Sequence, residues 1–299
     1  MSAADAKSLR AALLAHANAG GGWAYYPGHD SRLEPTCWAL LALGGAASDF
    51  DPEPHWRFLT ACQRTSGLLV ENPVLPANLA FNALAAIAML SSERFRSGRE
   101  LPTLLDSLVA RAGLQVAQSP NFRQDNSLRG WSWTEGTFSW VEPTSWCLLA
   151  LKRTIRTVPA RATDAVRSRI TDGEALLVDR VCASGGWNFG NANAFGTNLP
   201  AHVPTSALGL LALQDKRDLL AVRRSLAFVE EHWKKELSGG ALALSLLCLK
   251  IYGRPTSEVE AAIGDQWQHT RFLGNLATTS MVRCALTMGS SAKAALSLQ

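Results

Sequence analysis

The chain is 299 residues long, 47% hydrophobic and only 18% charged, with a formal net charge of +4. That length closes one large core or two modest ones, and the low charge fits a chain with much buried helical surface. Lys and Arg are scattered apart from short pairs such as Arg223-Arg224 and Lys234-Lys235, so no basic stripe with interleaved aromatics marks a nucleic-acid partner. No apolar run reaches the ~18 residues that a membrane span needs. The opening MSAADAKSLRAALLAHANAGGG lacks the charged start and cleavage site of a signal peptide, and the expected location is cytoplasmic.

In chain order, an amphipathic stretch over about 3–17 comes first. GGWAYYPGHDSRLEPTCWALLAL (Gly21 to Leu43) follows it, an aromatic glycine-rich turn and then an apolar helix opened by Pro35. A second amphipathic stretch, 53–63, leads into QRTSGLLVENPVLPANLAFNALAAIAML (Gln63 to Leu90), which has the head without its Trp. After a third at 103–117 and the polar insertion PNFRQDNSLRGW comes RGWSWTEGTFSWVEPTSWCLLALKR (Arg129 to Arg153). Trp131 stands eleven residues before Glu142, as Trp23 does before Glu34. The stretch at 163–182 precedes SGGWNFGNANAFGTNLPAHVPTSALGLLALQ (Ser184 to Gln214), with a longer loop between head and helix. The last two copies, after 217–236 and around 256–269, are SGGALALSLLCLKIYG (Ser238 to Gly253) and the most eroded, Gln266 to Gly289.

Six amphipathic helices therefore alternate with six that are apolar almost all round, which predicts an outer ring around a buried inner one. A closed ring also covers the apolar last helix, Leu276 to Met288, which an open solenoid would expose. The predicted fold is all-α, an α/α toroid of six helical hairpins forming a single domain over 1–299, with a disordered tail from about 290. Pro35, Pro143 and Pro204 are expected at the first helical position, where no N–H is needed. The six cysteines, Cys37, Cys62, Cys147, Cys182, Cys248 and Cys284, have no CxxC spacing. Four of them (Cys37, Cys147, Cys248 and Cys284) lie in apolar helical runs, which points to core packing rather than disulfides or zinc.

On these motifs the chain resembles the terpenoid cyclase and protein prenyltransferase toroid superfamily, with its prenyltransferase and squalene-oxidase repeat. PGHDSRLEPTCWALLAL is similar to the turn-helix of prenyltransferase beta subunits, and Gln63-x-x-x-Gly67 to the Q-x-x-x-G-x-W repeat of squalene-hopene-type cyclases. The resemblance implies a toroid enzyme acting on an isoprenoid or similarly apolar substrate. The Asp-x-Asp-Asp acid cluster and the Asp-rich diphosphate motif are absent from the sequence. Cys248 has no Asp two residues before it and His269 has no ligand partner at useful spacing, so no metal and no cofactor are expected.

The loops before the inner helices should gather at one mouth of the ring, the default place for a site. They supply Tyr25, Tyr26, Trp131, Trp133, Trp140, Asn191, Asn193 and Phe195 as substrate contacts, with aromatic faces suited to a passing carbocation. The head residues Trp23, Trp131 and Trp187 also read as staples between repeats. Glu34 and Glu142 sit at the positive end of a helix dipole, which favours the carboxylate by about 0.3–1 kcal/mol; they read as caps or anchors rather than acids. An acid able to protonate an alkene must be kept neutral by burial. The carboxyls proposed for that role are Asp30, Asp125 and Glu135, with His29 and His202 as bases and the insertion bearing Asp125 as a lid.

The leading functional expectation is cyclisation or isomerisation by acid–base chemistry without metal. The alternatives are a non-catalytic toroid that binds a lipid or a partner helix, and a toroid working on polysaccharides through Tyr25 or Tyr26, His202 and an Asn.

Overall fold

The computed structural model describes residues 3–44, 50–118, 123–288 and 295–298. In chain order the helices are α1 (Ala3–Ala15), α2 (Leu33–Leu43), α3 (Glu53–Ala61), α4 (Leu79–Leu90), the short α5 (Glu93–Ser97), α6 (Glu100–Ala110), α7 (Val141–Thr157), α8 (Asp164–Asp179), α9 (Val203–Ala212), α10 (Leu220–His232), α11 (Gly239–Ile251), α12 (Ser257–Thr270) and α13 (Leu276–Leu286). A two-stranded hairpin, β1 (Asn193–Ala194) and β2 (Thr197–Asn198), lies in the loop before α9.

The six apolar helices form the inner ring. Contacts run α2 to α4, α7, α9, α11, α13 and back to α2, so the circle closes. Each outer helix packs on the inner helix before it: α3 on α2, α6 on α4, α8 on α7, α10 on α9, α12 on α11, and α1 on α13 across the seam. Arg283 of α13 fastens that seam by donating to Ala42 O at 3.1 Å and Ala6 O at 2.8 Å. Inner helices are buried nearly all round, as in α4, where only Phe81 is partly exposed. All six cysteines are buried and unbridged. No helix among the described residues is long and apolar enough to cross a membrane.

Three local expectations change. The inner helices begin before their prolines: Thr36, Thr144 and Ser206 make the first helical bonds, to the carbonyls of Arg32, Trp140 and His202 at 3.2, 3.1 and 2.9 Å. Pro35 and Pro143 are thus third in their helices and Pro204 second, still among the four positions whose N–H has no intrahelical partner. The third outer helix stops at Ala110 rather than 117. Gly113 there donates to Gly130 O, and a Cβ on it would lie 2.4 Å from Ser139 N, so the chain is held extended by close backbone contact. Of the tail expected to be disordered from about 290, residues 289–294 lie outside the described set. Ala295–Leu298 are buried at the end of the ring away from the loops, with Leu298 N–H bonded to Gln214 and Leu296 O accepting from it.

Candidate active site at the mouth of the ring

Each loop is built on a repeated staple. Trp23, Trp131 and Trp187 are fully buried, and their indole N–H groups donate to Leu13 O, Leu108 O and Leu177 O in the last turn of the preceding outer helix, at 2.7–2.8 Å. Their backbone N–H groups donate to Thr36, Thr144 and Ser206 on the fourth residue of the inner helix, at 2.9, 3.0 and 2.8 Å. The copy without Trp keeps the backbone part: Asn82 accepts from Leu69 N–H at 2.7 Å and donates to Leu69 O at 3.0 Å. Trp131, one of the expected substrate contacts, therefore lies inside the wall with the Arg169 guanidinium 3.8 Å above its ring.

Two residues past each head, the chain stitches itself to the neighbouring inner helix. The carbonyls of Tyr25, Trp133 and Phe189 accept the first N–H groups of α13, α4 and α7, from Leu276, Leu79 and Val141, at 2.8, 2.7 and 2.9 Å. In the Trp-less copy the Glu71 carboxylate takes that role for Leu33 N–H and also pairs with Arg32. These bonds use helix-end donors that would otherwise go unmet, and they hold Tyr25, Glu71, Trp133 and Phe189 around the mouth. Trp133 stacks obliquely with Trp140 at 5.3 Å and meets Phe189 at 6.3 Å, and Phe189 lies 5.1 Å from His202.

Glu34 and Glu142 stand inside this aromatic rim, each second in its inner helix. Tyr25 Oη donates to Glu34 Oε2 at 2.5 Å. At both carboxyls burial opposes the helix dipole. Burial pushes the Glu142 carboxyl up to about 7, the charge of Glu34 adds to the rise, and the Trp133 indole N–H opposes it. Burial also raises Glu34, against the hydrogen bond from Tyr25. For Glu142 the rise from 4.5 is worth about 3 kcal/mol at 1.36 kcal/mol per pH unit, several times the dipole contribution. Burial likewise raises the Tyr25 phenol, which stays protonated and remains a donor.

One turn below the carboxyls, Trp38 of α2 and Trp146 of α7 meet edge to face at 5.6 Å, both buried. Because α4 lies between their helices in the ring, the two rings meet in the lumen. The aromatic pair therefore closes the lumen beneath the carboxyls. Neither indole, nor Glu71, stood out in the sequence. Trp38 and Trp146 read as part of an apolar helix, whereas aligning Leu69 with Trp23 would have placed Glu71 opposite Tyr25.

The remaining expected residues lie apart from this pair. His29, Asp30 and Tyr26 are exposed on the turn before α2. Glu135 is exposed and ion-paired with Arg111. Asp125 accepts from Ser127 N–H and Oγ, bonds that hold its carboxyl below the usual range. Asp30 and Glu135 are thus exposed and Asp125 only half-buried. The insertion is pinned outward rather than over the mouth: Asp125 N–H donates to Asp179 at 3.0 Å and Arg180 to Asp125 O at 3.0 Å, at the end of α8. Its residues 120–122 lie outside the described set. Asn193 bonds Asn198 across the hairpin at 3.0 Å, and Phe195 caps its tip, 78% exposed with φ of 49°. Asn191 accepts from Gln124 Nε2 at 2.9 Å. His202 is half-buried at the start of α9, against Phe189. Among the described residues no three His, Cys, Asp or Glu side chains are grouped as a metal site.

Solved structures share this architecture. A type II terpene cyclase variant, MstE from Scytonema in complex with geranylgeranyl dihydroxybenzoate, superposes with a TM-score of 0.56 at 15% identity, over 98% of this chain and 97% of that one. Cellobiose 2-epimerase from Bacillus thermoamylovorans gives 0.57 at 14%, over 90% and 87%. The β-1,3-1,4-glucanase from Paenibacillus gives 0.59 at 11%, over 97% and 91%. At these identities the likeness is one of fold, and fold alone does not fix a reaction. No family model matches the chain, and no curated protein is significantly similar to it.

Proposed function

We propose that the protein is an acid–base enzyme of the toroid type, with Glu142 as proton donor and Glu34, held by Tyr25, as the partner base. The observation that carries this is the half-buried Glu34, bonded by Tyr25, inside the same aromatic rim as the half-buried Glu142, whose carboxyl burial pushes up to about 7. Two like charges in one apolar site do not both ionise easily, so the pair holds one proton over a wide pH range. Tyr25 donates to the Glu34 carboxylate and opposes the rise that burial causes there, and the charge of Glu34 is one of the causes that raise Glu142. An environment that separates the roles of two carboxyls is how acid and base are assigned in one site.

The isoprenoid reading requires in addition a chamber in which an apolar chain can fold, and Trp38 and Trp146 occupy the lumen at that depth. A substrate reaching Glu142 lies across the mouth, among Trp133, Trp140 and Phe189. That geometry favours the second reading, a toroid acting on a carbohydrate, whose rings present apolar faces to aromatic side chains. The test is turnover in D2O of cellobiose, cellohexaose, mixed-linkage β-glucan and geranylgeraniol, followed by mass spectrometry. Deuterium-labelled or cleaved product from wild type, reduced at least about 100-fold in Glu142→Gln, is the expected result. Equal conversion by both proteins removes Glu142 from the mechanism.

A further inference from the structure

Of the stitches that tie one copy to the next at the mouth, three are made by backbone carbonyls and one by a side chain. Glu71 stands two residues past its head, as Tyr25, Trp133 and Phe189 do, and the carbonyls of those three accept the first N–H groups of α13, α4 and α7. For α2 the Glu71 side chain reaches in instead: Oε1 accepts from Leu33 N–H, and Oε2 accepts from Arg32 Nε at 2.5 Å. A carbonyl and a carboxylate both satisfy a helix-end donor, but the carboxylate also brings a full charge to that end of the helix. The helix that receives this charge is the one that carries Glu34, as its second residue.

Arg32 and Leu33, the two residues that Glu71 holds, come immediately before Glu34. Leu33 is buried, and the bond to its N–H fixes the first turn of α2. Arg32 closes a second path to the same carboxyl. Its guanidinium lies 5.9 Å from the centroid of the Tyr25 ring, and Tyr25 Oη donates to Glu34 Oε2 at 2.5 Å. Glu34 is therefore held along the backbone through Leu33 and across space through Arg32 and Tyr25, and both paths start at Glu71. In the ion pair the side chain of Glu71 is 16% exposed and that of Arg32 44%, so the negative member is the more buried one.

The groups that face Glu34 are Tyr25 and Trp38, which donate to it, the charge of Glu71, the Cys37 thiol on the same helix and Glu142 of α7. Burial is the largest cause of the rise at Glu34, and Glu71 adds to it. At Tyr25, burial and Glu34 come first, Glu71 adds to the rise and Arg32 opposes it.

We propose that Glu71 is a positioning residue of the mouth, which orients Glu34 through Leu33 N–H, Arg32 and Tyr25 and sets a fixed negative charge beside it. A like charge nearby makes a carboxylate hold a proton more tightly, which suits the base of an acid–base pair. The assignment rests on the reading of Glu34 as that base. A helix cap needs an acceptor at this place and no charge, and Gln supplies one, so the two roles separate by substitution.

The test is carbon-13 NMR titration of the full chain labelled at the glutamate carboxyls, with Glu34 assigned by the signal lost in Glu34→Gln, together with hydrogen exchange at the Leu33 amide. Glu71→Gln keeps an acceptor for Leu33 N–H and removes the charge. It should leave Leu33 exchange and the urea midpoint close to wild type while Glu34 titrates at lower pH. Glu71→Leu removes acceptor and charge together, and its Leu33 amide should exchange at least about 10-fold faster. A Glu34 that titrates in Glu71→Gln as it does in wild type would make Glu71 a cap alone and overturn the proposal. So would a Leu33 amide equally protected in Glu71→Leu and wild type. Neither measurement needs a substrate, so the two claims fail separately: equal conversion by Glu142→Gln removes the acid–base reading, and an unmoved Glu34 titration removes the role of Glu71.

Discussion

Replacing Glu142 by Gln separates what the carboxyl costs the fold from what it does. A group raised from 4.5 to about 7 is protonated in both folded and unfolded chains well below pH 4.5 and charged in both well above 7. Between those values the folded chain holds more protons than the unfolded one, so stability falls as pH rises through this window and stays low above it. The full difference is about 3 kcal/mol at 1.36 kcal/mol per pH unit. A neutral amide of nearly the same shape escapes it. Glu142→Gln should therefore gain on wild type steadily from pH 5 to pH 8, by up to about 3 kcal/mol. With an unfolding entropy of about 2.1 cal/mol/K per residue over 299 residues, that is a rise in Tm of about 5 °C at pH 8. Urea titrations and calorimetry at pH 5, 6, 7 and 8 read it directly. A constant offset between the two proteins, or a variant that loses ground as pH rises, would refute the claim that burial holds Glu142 near neutrality.

Glu34→Gln removes the neighbouring charge from Glu142, so the apparent pKa of the remaining carboxyl, followed by carbon-13 NMR of labelled glutamate, should fall below that of wild type. Thr144→Val leaves the buried Trp131 N–H without its acceptor and should cost about 1–3 kcal/mol in urea unfolding, whereas Thr144→Ser, which keeps the hydroxyl, should cost less. Gly21→Ala places a Cβ 2.1 Å from Pro54 O at a φ of 90° and should lower stability by about 3 kcal/mol or more, measured the same way. Trp38→Ala empties the lumen beneath the carboxyls and should cost about 3–5 kcal/mol, with new xenon binding visible in a pressurised crystal.

The ring was legible because its staples are written at fixed offsets. Trp23 and Trp131 each precede a Thr by thirteen residues, and those pairs are the ones that hydrogen-bond. Leu69 and Asn82 have the same offset and the same bonding, with neither residue type kept. In the fourth copy the pair is Trp187 and Ser206, nineteen apart. The Pro-Thr dipeptide there invites alignment one residue off, and only the bonds reveal the shift. The chemistry of the site was less legible because its governing quantity is burial. From sequence, Glu34 and Glu142 carry a helix-dipole signal of under about 1 kcal/mol, while the desolvation that overrides it depends on Trp133, Trp140, Trp38 and Trp146 arriving from other turns and other helices. Conversely, Asp30 and Glu135 look like site residues because they sit on aromatic loops, and they point away because their turns are exposed.

The asymmetry of the mouth follows from the erosion of the repeat. Four copies keep the segment two residues past the head, and they contribute Tyr25, Glu71, Trp133 and Phe189. The copies before α11 and α13 run into their helices without such a segment. Ser238 leads directly into α11, and the first N–H of α13, from Leu276, donates to the Tyr25 carbonyl of the first copy across the seam. Two thirds of the ring thus carries the site and the remaining third closes the circle, with no loop to wall off the mouth above it. The longer connection before α9 adds Gly190 and Asn191 on the side where the insertion before Trp131 is pinned, and Gln124 of the insertion donates to Asn191 there. Lengthening the loop of the fourth copy and inserting one before the head of the third leaves the staples and the ring intact, because both changes lie between a head and its neighbours rather than in either partner of the hydrogen bond that holds them.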